Sequence, residues 1–336
     1  MTLYPWFDET ARQFLARRAQ MPHAWLLSGA AGIGKFELGA FLAASLLCEQ
    51  PQPEGLACGH CSACQWFARG NHPDVRYIYP LQWHEELFPE QPLPEGNEKS
   101  QEIRIEQFRA LDDWFHASTH RGGYRVVLIY PAQQMNRVVA NALLKVLEEP
   151  ATKTVFLLIT SQLPELLPTI RSRCRRLNLP APDNQQATQW LQQQGIAQAA
   201  DWLRANDGAP LLALKAARTH EQAVPEWLTQ LSMALVQRQK AQLYALLPSL
   251  EDLPFGELLR VIQRFNLDIQ LQQYGQAPRH YPELEGSIQQ LAQRSSPQVS
   301  THLCKTLLQR QATAEHPFNA KLRVHHLLDN LGQVYT

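Results

Sequence analysis

Short apolar runs and helical spacings alternate along the first half of the chain. Three runs have the length of buried strands, at 23–29, 126–130 and 155–160. Two further stretches repeat apolar residues every three or four positions, which predicts amphipathic helices over 35–48 and 136–149. Strands that alternate with helices in this way usually form a parallel sheet covered by helices. We therefore predict an α/β fold for this part of the chain.

The pattern changes after Pro180. Helical periodicity with glutamine-rich polar faces runs through 183–217 and again through 223–333. Breaks at 180–182 and 220–225 separate these segments. We predict three domains, namely an α/β domain at 1–180, a small helical domain at 181–222 and a larger all-α domain at 223–336.

A segment rich in proline and glutamate interrupts the α/β region. Residues 79–100 show little periodicity of either kind. We interpret this segment as a mobile acidic loop. Its glutamates either face solvent or bind a cation.

Charge and hydropathy bear on the cellular location of the chain and on whether it can bind nucleic acid without partners. Its 31 basic residues balance 31 acidic ones, whereas a protein that holds many phosphates alone usually carries a basic excess. Contacts with nucleic acid are therefore expected to be shared with partners. No apolar run approaches the roughly 20 residues of a membrane span, and the first residues lack the pattern of a signal peptide. We expect a cytoplasmic protein without a membrane segment, whose thiols stay reduced.

A glycine-rich loop follows the first predicted strand. The sequence GAAGIGK places Gly29, Gly32, Gly34 and Lys35 in the pattern G-x-x-x-x-G-K between a strand and a helix. The backbone N–H groups of such a loop face a phosphate, and the lysine adds positive charge. The sequence therefore predicts a site with the form of a phosphate-binding loop.

Both positions that would hold Mg²⁺ carry unsuitable side chains. Phe36 follows the lysine, where a serine or threonine hydroxyl would bind the metal. The second predicted strand ends in Tyr130-Pro131, where a carboxylate is required. We predict that this chain hydrolyses no ATP and requires neither ATP nor Mg²⁺. Weak nucleotide binding, and a loop retained only as a tight turn, both stay open.

Four cysteines give the most specific chemical signal. Cys58, Cys61 and Cys64 make two overlapping C-x-x-C steps, and Cys48 precedes them. Four thiolates complete a tetrahedral zinc site, and a closed site of this kind is structural rather than catalytic. We therefore predict a structural zinc module over 48–64.

Other interpretations of the cysteines stay open. His60 lies inside the cluster and is an alternative ligand. Redox cysteines, or a zinc knuckle that binds nucleic acid, are the other possibilities, although few basic residues flank the cluster. Cys304 has no partner by spacing and is predicted to be a buried apolar residue.

An arginine-rich segment follows the third predicted strand. Arg171, Arg173, Arg175 and Arg176 fall within six residues. An exposed guanidinium beside a sheet can stabilise charge on a phosphoryl group, also on one bound to another subunit. Composition alone favours a plainer interpretation, a solvated basic turn.

Together these motifs resemble the bacterial clamp-loader family of AAA+ proteins. The resemblance covers residues 1–180. It is carried, in this order, by HAWLLSGAAGIGK, the four-cysteine insertion, Asn71-His72-Pro73-Asp74, NALLKVLEEP at 141–150, and Ser172-Arg173-Cys174.

The resemblance implies an AAA+-like parallel sheet domain with a zinc module, a small helical lid domain and an all-α collar domain for oligomerisation. Motor subunits of the family carry an intact phosphate loop, an Asp-Glu pair after the second strand and a nucleotide-sensing arginine in the lid. This chain departs from all three, at Phe36, Tyr130-Pro131 and Leu211. It is therefore similar to the non-hydrolysing member of the family. By that match, Arg173 is an arginine finger for a neighbouring motor subunit's ATP.

The resemblance also implies partners. They are the motor (gamma/tau) subunits and the delta subunit, and the sliding clamp and primed DNA are reached through the complex. Two rival functions stay open, an active motor ATPase with unusual metal ligands and a zinc-dependent nucleic-acid-binding protein that acts alone.

Overall fold

The chain divides into two compact units, 1–186 and 187–336. The computed structural model describes residues 3–93, 100–311 and 320–335. The first unit contains a sheet and helices, and the described residues of the second unit are helical or irregular. The separation of the second unit into a lid and a collar stays a prediction.

A parallel sheet occupies the centre of the first unit. Its strands are β1 (Ala24–Gly29), β2 (Val75–Ile78), β3 (Arg125–Ile129), β4 (Thr154–Thr160) and β5 (Arg175–Leu179). They lie in the order β2-β3-β4-β1-β5, and all neighbours are parallel. The predicted parallel sheet is confirmed.

Helices cover both faces of this sheet. Successive residues of a strand face opposite sides, so Leu26 and Leu27 of β1 are both fully buried but belong to different apolar clusters. The helices of the first unit are α1 (Asp8–Leu15), α2 (Lys35–Leu47), α3 (Ser62–Ala68), α4 (His84–Leu87), α5 (Ile105–Arg109), α6 (Asp112–His116), α7 (Arg137–Glu148) and α8 (Pro168–Arg173).

Two features of the first unit differ from the predictions. The edge strands β2 and β5 were not predicted, and Arg175 and Arg176 lie on β5 rather than in a basic turn. The segment 79–100 is not a loop throughout, because it contains a 3-10 helix at Leu81–Trp83 followed by α4. Leu81 and His84 are buried there, which explains why the chain is ordered. The remainder of this prediction, at 94–99, lies outside the described residues.

The second unit is built from amphipathic helices around two apolar clusters. One cluster gathers residues between Ala187 and Ala223, and the larger one gathers residues between Ala205 and Tyr335. Of the helices in the described ranges, none is long and apolar enough to cross a membrane. The helices of the second unit are α9 (Asn184–Gln193), which begins in the first unit, α10 (Ala199–Ala205), α11 (Pro210–Thr219), α12 (Glu226–Gln237), α13 (Lys240–Ala245), α14 (Leu247–Glu251), α15 (Phe255–Gln273), α16 (Glu285–Arg294), α17 (Pro297–Gln311) and α18 (Ala320–Tyr335).

Candidate functional site

The four predicted zinc ligands converge. The sulfur atoms of Cys48, Cys58, Cys61 and Cys64 all lie within 4.8 Å of one another. The Sγ atoms of Cys48 and Cys61 are 3.8 Å apart, and those of Cys58 and Cys64 are 3.9 Å apart. A tetrahedral zinc ion with Zn–S bonds of about 2.3 Å requires sulfur atoms about 3.8 Å apart. The donor set therefore fits zinc in both chemistry and spacing.

Backbone amides orient these sulfur atoms. The N–H groups of Cys58 and Cys61 donate to the Sγ atoms of Cys48 and Cys58, at 3.3 Å in each case. The N–H of Cys64, in the first turn of α3, donates to Cys61 Sγ at 3.5 Å. Burial would raise the pKa of Cys61, but N–H donors from Cys64 and Glu49 and the neighbouring thiols lower it to about 6. Such donors favour the thiolate form that binds metals.

Two other candidate residues lie outside the group of sulfur atoms. His60 is exposed, and its Nδ1 lies 2.9 Å from the Cys58 carbonyl oxygen rather than among the sulfur atoms. Among the described residues, the group that could hold a metal consists of the four cysteines alone. Cys304 is half-buried, so it is less buried than predicted.

The phosphate-type loop has the predicted position between β1 and α2. Gly32 and Gly34 adopt positive φ angles of 70° and 89°, which side chains other than glycine rarely adopt. A Cβ atom on Gly29 would lie 2.5 Å from the Leu179 carbonyl oxygen of β5. The glycines are therefore explained by backbone geometry, with or without a phosphate.

Contacts within the chain occupy Lys35. Its side chain is buried, and its Nζ donates a hydrogen bond to the Ala30 carbonyl oxygen of the same loop. Trp6 Nε1 donates to the Ile33 carbonyl oxygen at 2.8 Å, which connects the loop to the start of the chain. Burial lowers the pKa of Lys35 to about 8, although the nearby Glu37 opposes this shift.

Phe36 stands where a serine or threonine hydroxyl would bind Mg²⁺, and other aromatic rings surround it. The ring centroid of Phe36 lies 5.2 Å from that of Tyr130 and 6.2 Å from those of Tyr77 and Phe88. Phenyl and phenol groups at these distances pack favourably but are poor ligands for a hard cation. Glu37 is an acidic group close to this region, and burial raises its pKa, with a further contribution from the nearby Glu86.

Arg173 lies at the end of α8 with an exposed side chain. Its Nη2 is 2.5 Å from Glu148 Oε1 at the end of α7, and its Nη1 donates to the Thr169 carbonyl oxygen at 3.1 Å. The side chains of Arg173 and Glu148 are 36% and 53% exposed. The guanidinium is therefore held in place but stays accessible to a partner.

Arg173 and the glycine loop lie at opposite ends of strands β1 and β5. Strand β5 is parallel to β1, with Arg175 beside Trp25 and Leu179 beside Gly29. Arg173 thus precedes the first residues of the two strands, whereas the glycine loop follows their last residues. Strand β5 is five residues long, so its two ends lie about 13 Å apart at about 3.3 Å per residue.

The other arginines differ from Arg173 in their surroundings. Arg171 is half-buried, and Arg175 lies on β5 with its guanidinium 5.4 Å from the Trp25 ring centroid. Arg176 is exposed on the same strand. The structure therefore separates residues that the sequence presented as one basic segment.

Two residues around the site were not predicted from the sequence. Glu148 pairs with Arg173, and Arg18 bonds the backbone at the end of α2 beside Cys48. Glu148 belongs to the NALLKVLEEP motif, which was a signal for it, whereas nothing near Arg18 in the sequence marked its contacts.

Comparison with known proteins gives related sequences over most of the chain. Relatives named DNA polymerase III subunit delta' are 40% identical in Pseudomonas aeruginosa, covering 72% of this chain and 69% of the relative. Those in Yersinia pestis and Escherichia coli K12 are 33% and 30% identical and cover 91% and 88% of this chain. They are themselves covered to 88% and 85%.

A solved structure and a family model also match. The structure is a DNA polymerase III gamma subunit-related protein from Thermotoga maritima, with 18% identity and a TM-score of 0.48. The comparison covers 98% of this chain and 99% of that protein. The family model described as "DNA polymerase III, delta subunit" matches residues 10–183, which is more than half of the chain. With its relatives at 30–40% identity, the chain therefore belongs to the DNA polymerase III delta' subunit family.

Proposed function

We propose that this chain is a non-hydrolysing clamp-loader subunit that supplies Arg173 to ATP bound by a neighbouring motor subunit. In this way it helps to load the sliding clamp on primed DNA during replication in the cytoplasm. The observation that supports this proposal most strongly is the position of Arg173. Its side chain is exposed, and it lies at the end of the strands opposite to the glycine loop of its own chain. An arginine in that place serves a phosphate outside its own subunit.

The surroundings of the glycine loop support the absence of hydrolysis. Lys35 donates to the loop itself, and Phe36 packs against Tyr130 where a metal-binding hydroxyl and carboxylate would be required. A nucleotide that bound here would lack a placed Mg²⁺. We therefore assign the loop a structural role, with at most weak nucleotide binding.

The pairing of Arg173 is compatible with a role in trans. An exposed salt bridge such as Arg173–Glu148 contributes about 0–1 kcal/mol. The guanidinium can therefore exchange Glu148 for a phosphate at little cost. Its planar fork also suits phosphate oxygens better than a lysine ammonium does.

The remaining parts of the chain have proposed roles in assembly. The cysteine module at 48–64 would hold one structural zinc ion, which ties α2 to α3 through its four ligands. We assign the region 181–222 to a lid and 223–336 to the collar that joins this subunit to the gamma/tau and delta subunits. The sliding clamp and DNA are then reached through the complex.

Arg173→Ala in the reconstituted complex tests the proposal. The variant should fold, keep its zinc and assemble, because the side chain is exposed. DNA-stimulated ATP hydrolysis and clamp loading should fall several-fold, since an arginine finger contributes about 10³–10⁵ in rate at the site it serves. Arg173→Lys should restore only part of the rate, because it lacks the fork.

Alanine substitutions at Arg171, Arg175 and Arg176 are the matched controls. We expect near-normal ATP hydrolysis and loading for each. If Arg173→Ala behaves like these controls, the finger assignment is wrong. Equal losses at all four positions would instead indicate a general electrostatic surface.

An active ATPase is the second candidate function. Glu37 interacts electrostatically with both Lys35 and Glu86, so a carboxylate is present near the loop. ATP turnover by the isolated chain distinguishes the two functions. Turnover above background that is lost in Lys35→Ala would favour the motor function.

A further inference from the structure

The end of α2 needs hydrogen-bond donors from elsewhere in the chain. The helix ends at Leu47, and Cys48 turns to extended backbone with φ −61° and ψ 128°. The last carbonyl groups of any helix lack partners within it. The glycine that often closes a helix is absent, because the next residue is Cys48. Something else must bond these carbonyls beside the first metal ligand.

Arg18 provides these donors. Its Nη1 donates to the Ser45 carbonyl oxygen at 2.8 Å. Its Nη2 donates to the carbonyl oxygens of Leu46 at 3.0 Å and of Cys48 at 3.1 Å. A positive charge at the C-terminal end of a helix is also favourable. One guanidinium therefore fixes the last turn of α2 and the backbone of Cys48.

Arg18 is itself held in place. Its side chain is half-buried, and its carbonyl oxygen accepts a hydrogen bond from the Tyr124 hydroxyl at 2.5 Å. The backbone of Arg18 and its guanidinium are thus both anchored. A donor anchored in this way can set the position of the backbone that it bonds.

Cys48 depends on this support more than the other cysteines do. Cys58, Cys61 and Cys64 lie in one short segment and orient one another through N–H···S hydrogen bonds. Cys48 belongs to a different element and comes to the cluster from the end of α2. Apart from the hydrogen bond that its Sγ accepts from the Cys58 N–H at 3.3 Å, the position of Cys48 relative to the other three therefore follows the geometry of that helix end.

We propose that Arg18 is a positioning residue of the metal centre, which holds Cys48 where its thiolate completes the tetrahedron. The inference rests on the zinc site proposed above. A zinc ion with four thiolates carries net negative charge, which a nearby guanidinium also favours. Residues that orient metal ligands typically change metal affinity about 10–100-fold when they are removed.

Metal release from the full-length chain tests this inference. The rate of zinc transfer to a chromophoric chelator is measured for the wild type, Arg18→Ala and Arg18→Lys. We expect release to be about 10–100-fold faster in Arg18→Ala. Cobalt substituted for zinc should show weaker thiolate-to-cobalt absorption, because Cys48 leaves the metal. Arg18→Lys should recover only part, since an ammonium cannot bond three carbonyls as the fork does.

Arg125 offers a matched control for a merely structural effect. Its guanidinium bonds the carbonyl oxygens of Trp114, Phe115 and Ala117 at the end of α6, which carries no cysteine. Arg125→Lys should lower the unfolding temperature without changing zinc release from the folded protein. The exposed neighbour substitution Arg17→Ala should change neither.

Each result decides the inference. Wild-type zinc release and a wild-type cobalt spectrum in folded Arg18→Ala would overturn it. If Arg18→Ala does not fold, Arg18→Lys decides, and wild-type release in that variant overturns the inference. Faster release in Arg125→Lys, equal to that in Arg18→Lys, would also overturn it. A wild-type chain that takes up neither zinc nor cobalt overturns the zinc site itself, so the two failures are distinguishable.

Discussion

Lys35 is a buried cation, and its charge affects the stability of the fold. Burial lowers its pKa from 10.5 to about 8. A lysine with a lower pKa in the folded state destabilises the fold below that pKa, and the penalty disappears as the pH rises from about 8 to 10.5. Two and a half pKa units correspond to about 3 kcal/mol.

Lys35→Met should therefore stabilise the chain at pH 7. We expect a gain of about 2 kcal/mol in the free energy of unfolding, after subtracting about 1 kcal/mol for the lost hydrogen bond to Ala30. The gain should shrink by pH 10, because the wild-type lysine is then largely neutral. Denaturant unfolding at both pH values measures this difference.

Two further measurements complete this prediction. Lys145→Met, at an exposed position of α7, should leave the free energy of unfolding nearly unchanged at both pH values. The ATPase rate of the reconstituted complex should also be nearly normal with Lys35→Met. A destabilised variant would contradict the penalty for burying the charged lysine. A large loss of ATPase in an assembled complex would argue that Lys35 binds a phosphate.

Residues were predictable where their chemistry repeats at short spacing. The four cysteines lie within 17 residues, at 48–64, and the glycine loop spans 7 residues, at 29–35, so both patterns are visible in the sequence. Arg18 and Glu148 were missed because their partners are distant in the sequence. Arg18 bonds carbonyls 27 to 30 residues away, and Glu148 is 25 residues from Arg173. Only the fold brings these groups together.

The position of a strand in the sheet determined whether the sequence predicted it. The central strands β1, β3 and β4 are buried on both faces, so each reads as a continuous apolar run. The edge strands carry polar residues, such as Arg76 on β2 and Asn178 on β5. Their short mixed sequences match neither a buried strand nor a helix.

The zinc module predicts a local loss when a ligand is removed. Cys61→Ser should remove most of the zinc, measured by elemental analysis, because three thiolates hold the metal less tightly than four. Hydrogen exchange should increase around α3 and the end of α2. The helices at 187–336 should keep their protection, because they form a separate compact unit.

Cys304→Ser provides the control for that substitution. Cys304 is half-buried on α17 and is not part of the four-sulfur group. We expect this variant to keep one zinc ion per chain. A metal-free yet fully folded wild-type protein would contradict the structural role of zinc.

The His280 cluster (Asp207, Arg264, Asp268 and His280) joins separate segments of the second unit, and all its side chains except that of Asp207 are largely buried. His280 Nδ1 lies 2.9 Å from Asp268 Oδ1, and its Nε2 lies 3.0 Å from Asp207 Oδ1. Arg264 also pairs with Asp207, at 2.7 Å. Burial would lower the pKa of His280, but these two carboxylates raise it. Burial would raise the pKa of Asp207, but His280 and Arg264 lower it to about 2.

The cluster predicts a pH-dependent stability. A histidine with a raised pKa stabilises the fold fully below its unfolded pKa of about 6.5 and loses this effect as the pH rises through its folded pKa. His280→Gln should therefore cost about 3 kcal/mol at pH 6, near the lower end for a broken buried pair because Asp207 is partly exposed. The cost should be smaller at pH 9.

Chemical unfolding of the full chain at the two pH values measures the effect. His220→Gln is the control, since His220 lies 3.1 Å from Glu257 but both side chains are largely exposed. That variant should change the free energy of unfolding by less than about 1 kcal/mol. An equal cost of His280→Gln at pH 6 and pH 9 would show that the imidazole does not titrate between carboxylates.

The proposed function assigns this chain a role that depends on partner subunits. The chain offers an exposed arginine, while Lys35 donates a hydrogen bond to its own glycine loop and Phe36 packs against Tyr130. Its 31 basic and 31 acidic residues cancel. We therefore propose that this chain holds ATP and DNA only weakly by itself. Its contribution is then measured in the complex rather than in the isolated chain.

Charge balance therefore predicts weak DNA binding by the isolated chain. Phosphate contacts supply most non-specific affinity, and proteins that make them bind DNA with Kd values of about 10⁻⁴–10⁻⁶ M at physiological salt. We expect the isolated chain to bind primed DNA more weakly than this range, with little dependence on salt. Fluorescence anisotropy with labelled primed DNA at several salt concentrations measures both quantities.

The reconstituted complex should bind far more tightly, and Cys61→Ser should not alter the result for the isolated chain. Tight binding by the isolated wild type that disappears in Cys61→Ser would instead favour a zinc-dependent nucleic-acid-binding protein, because the zinc module would then contact DNA directly.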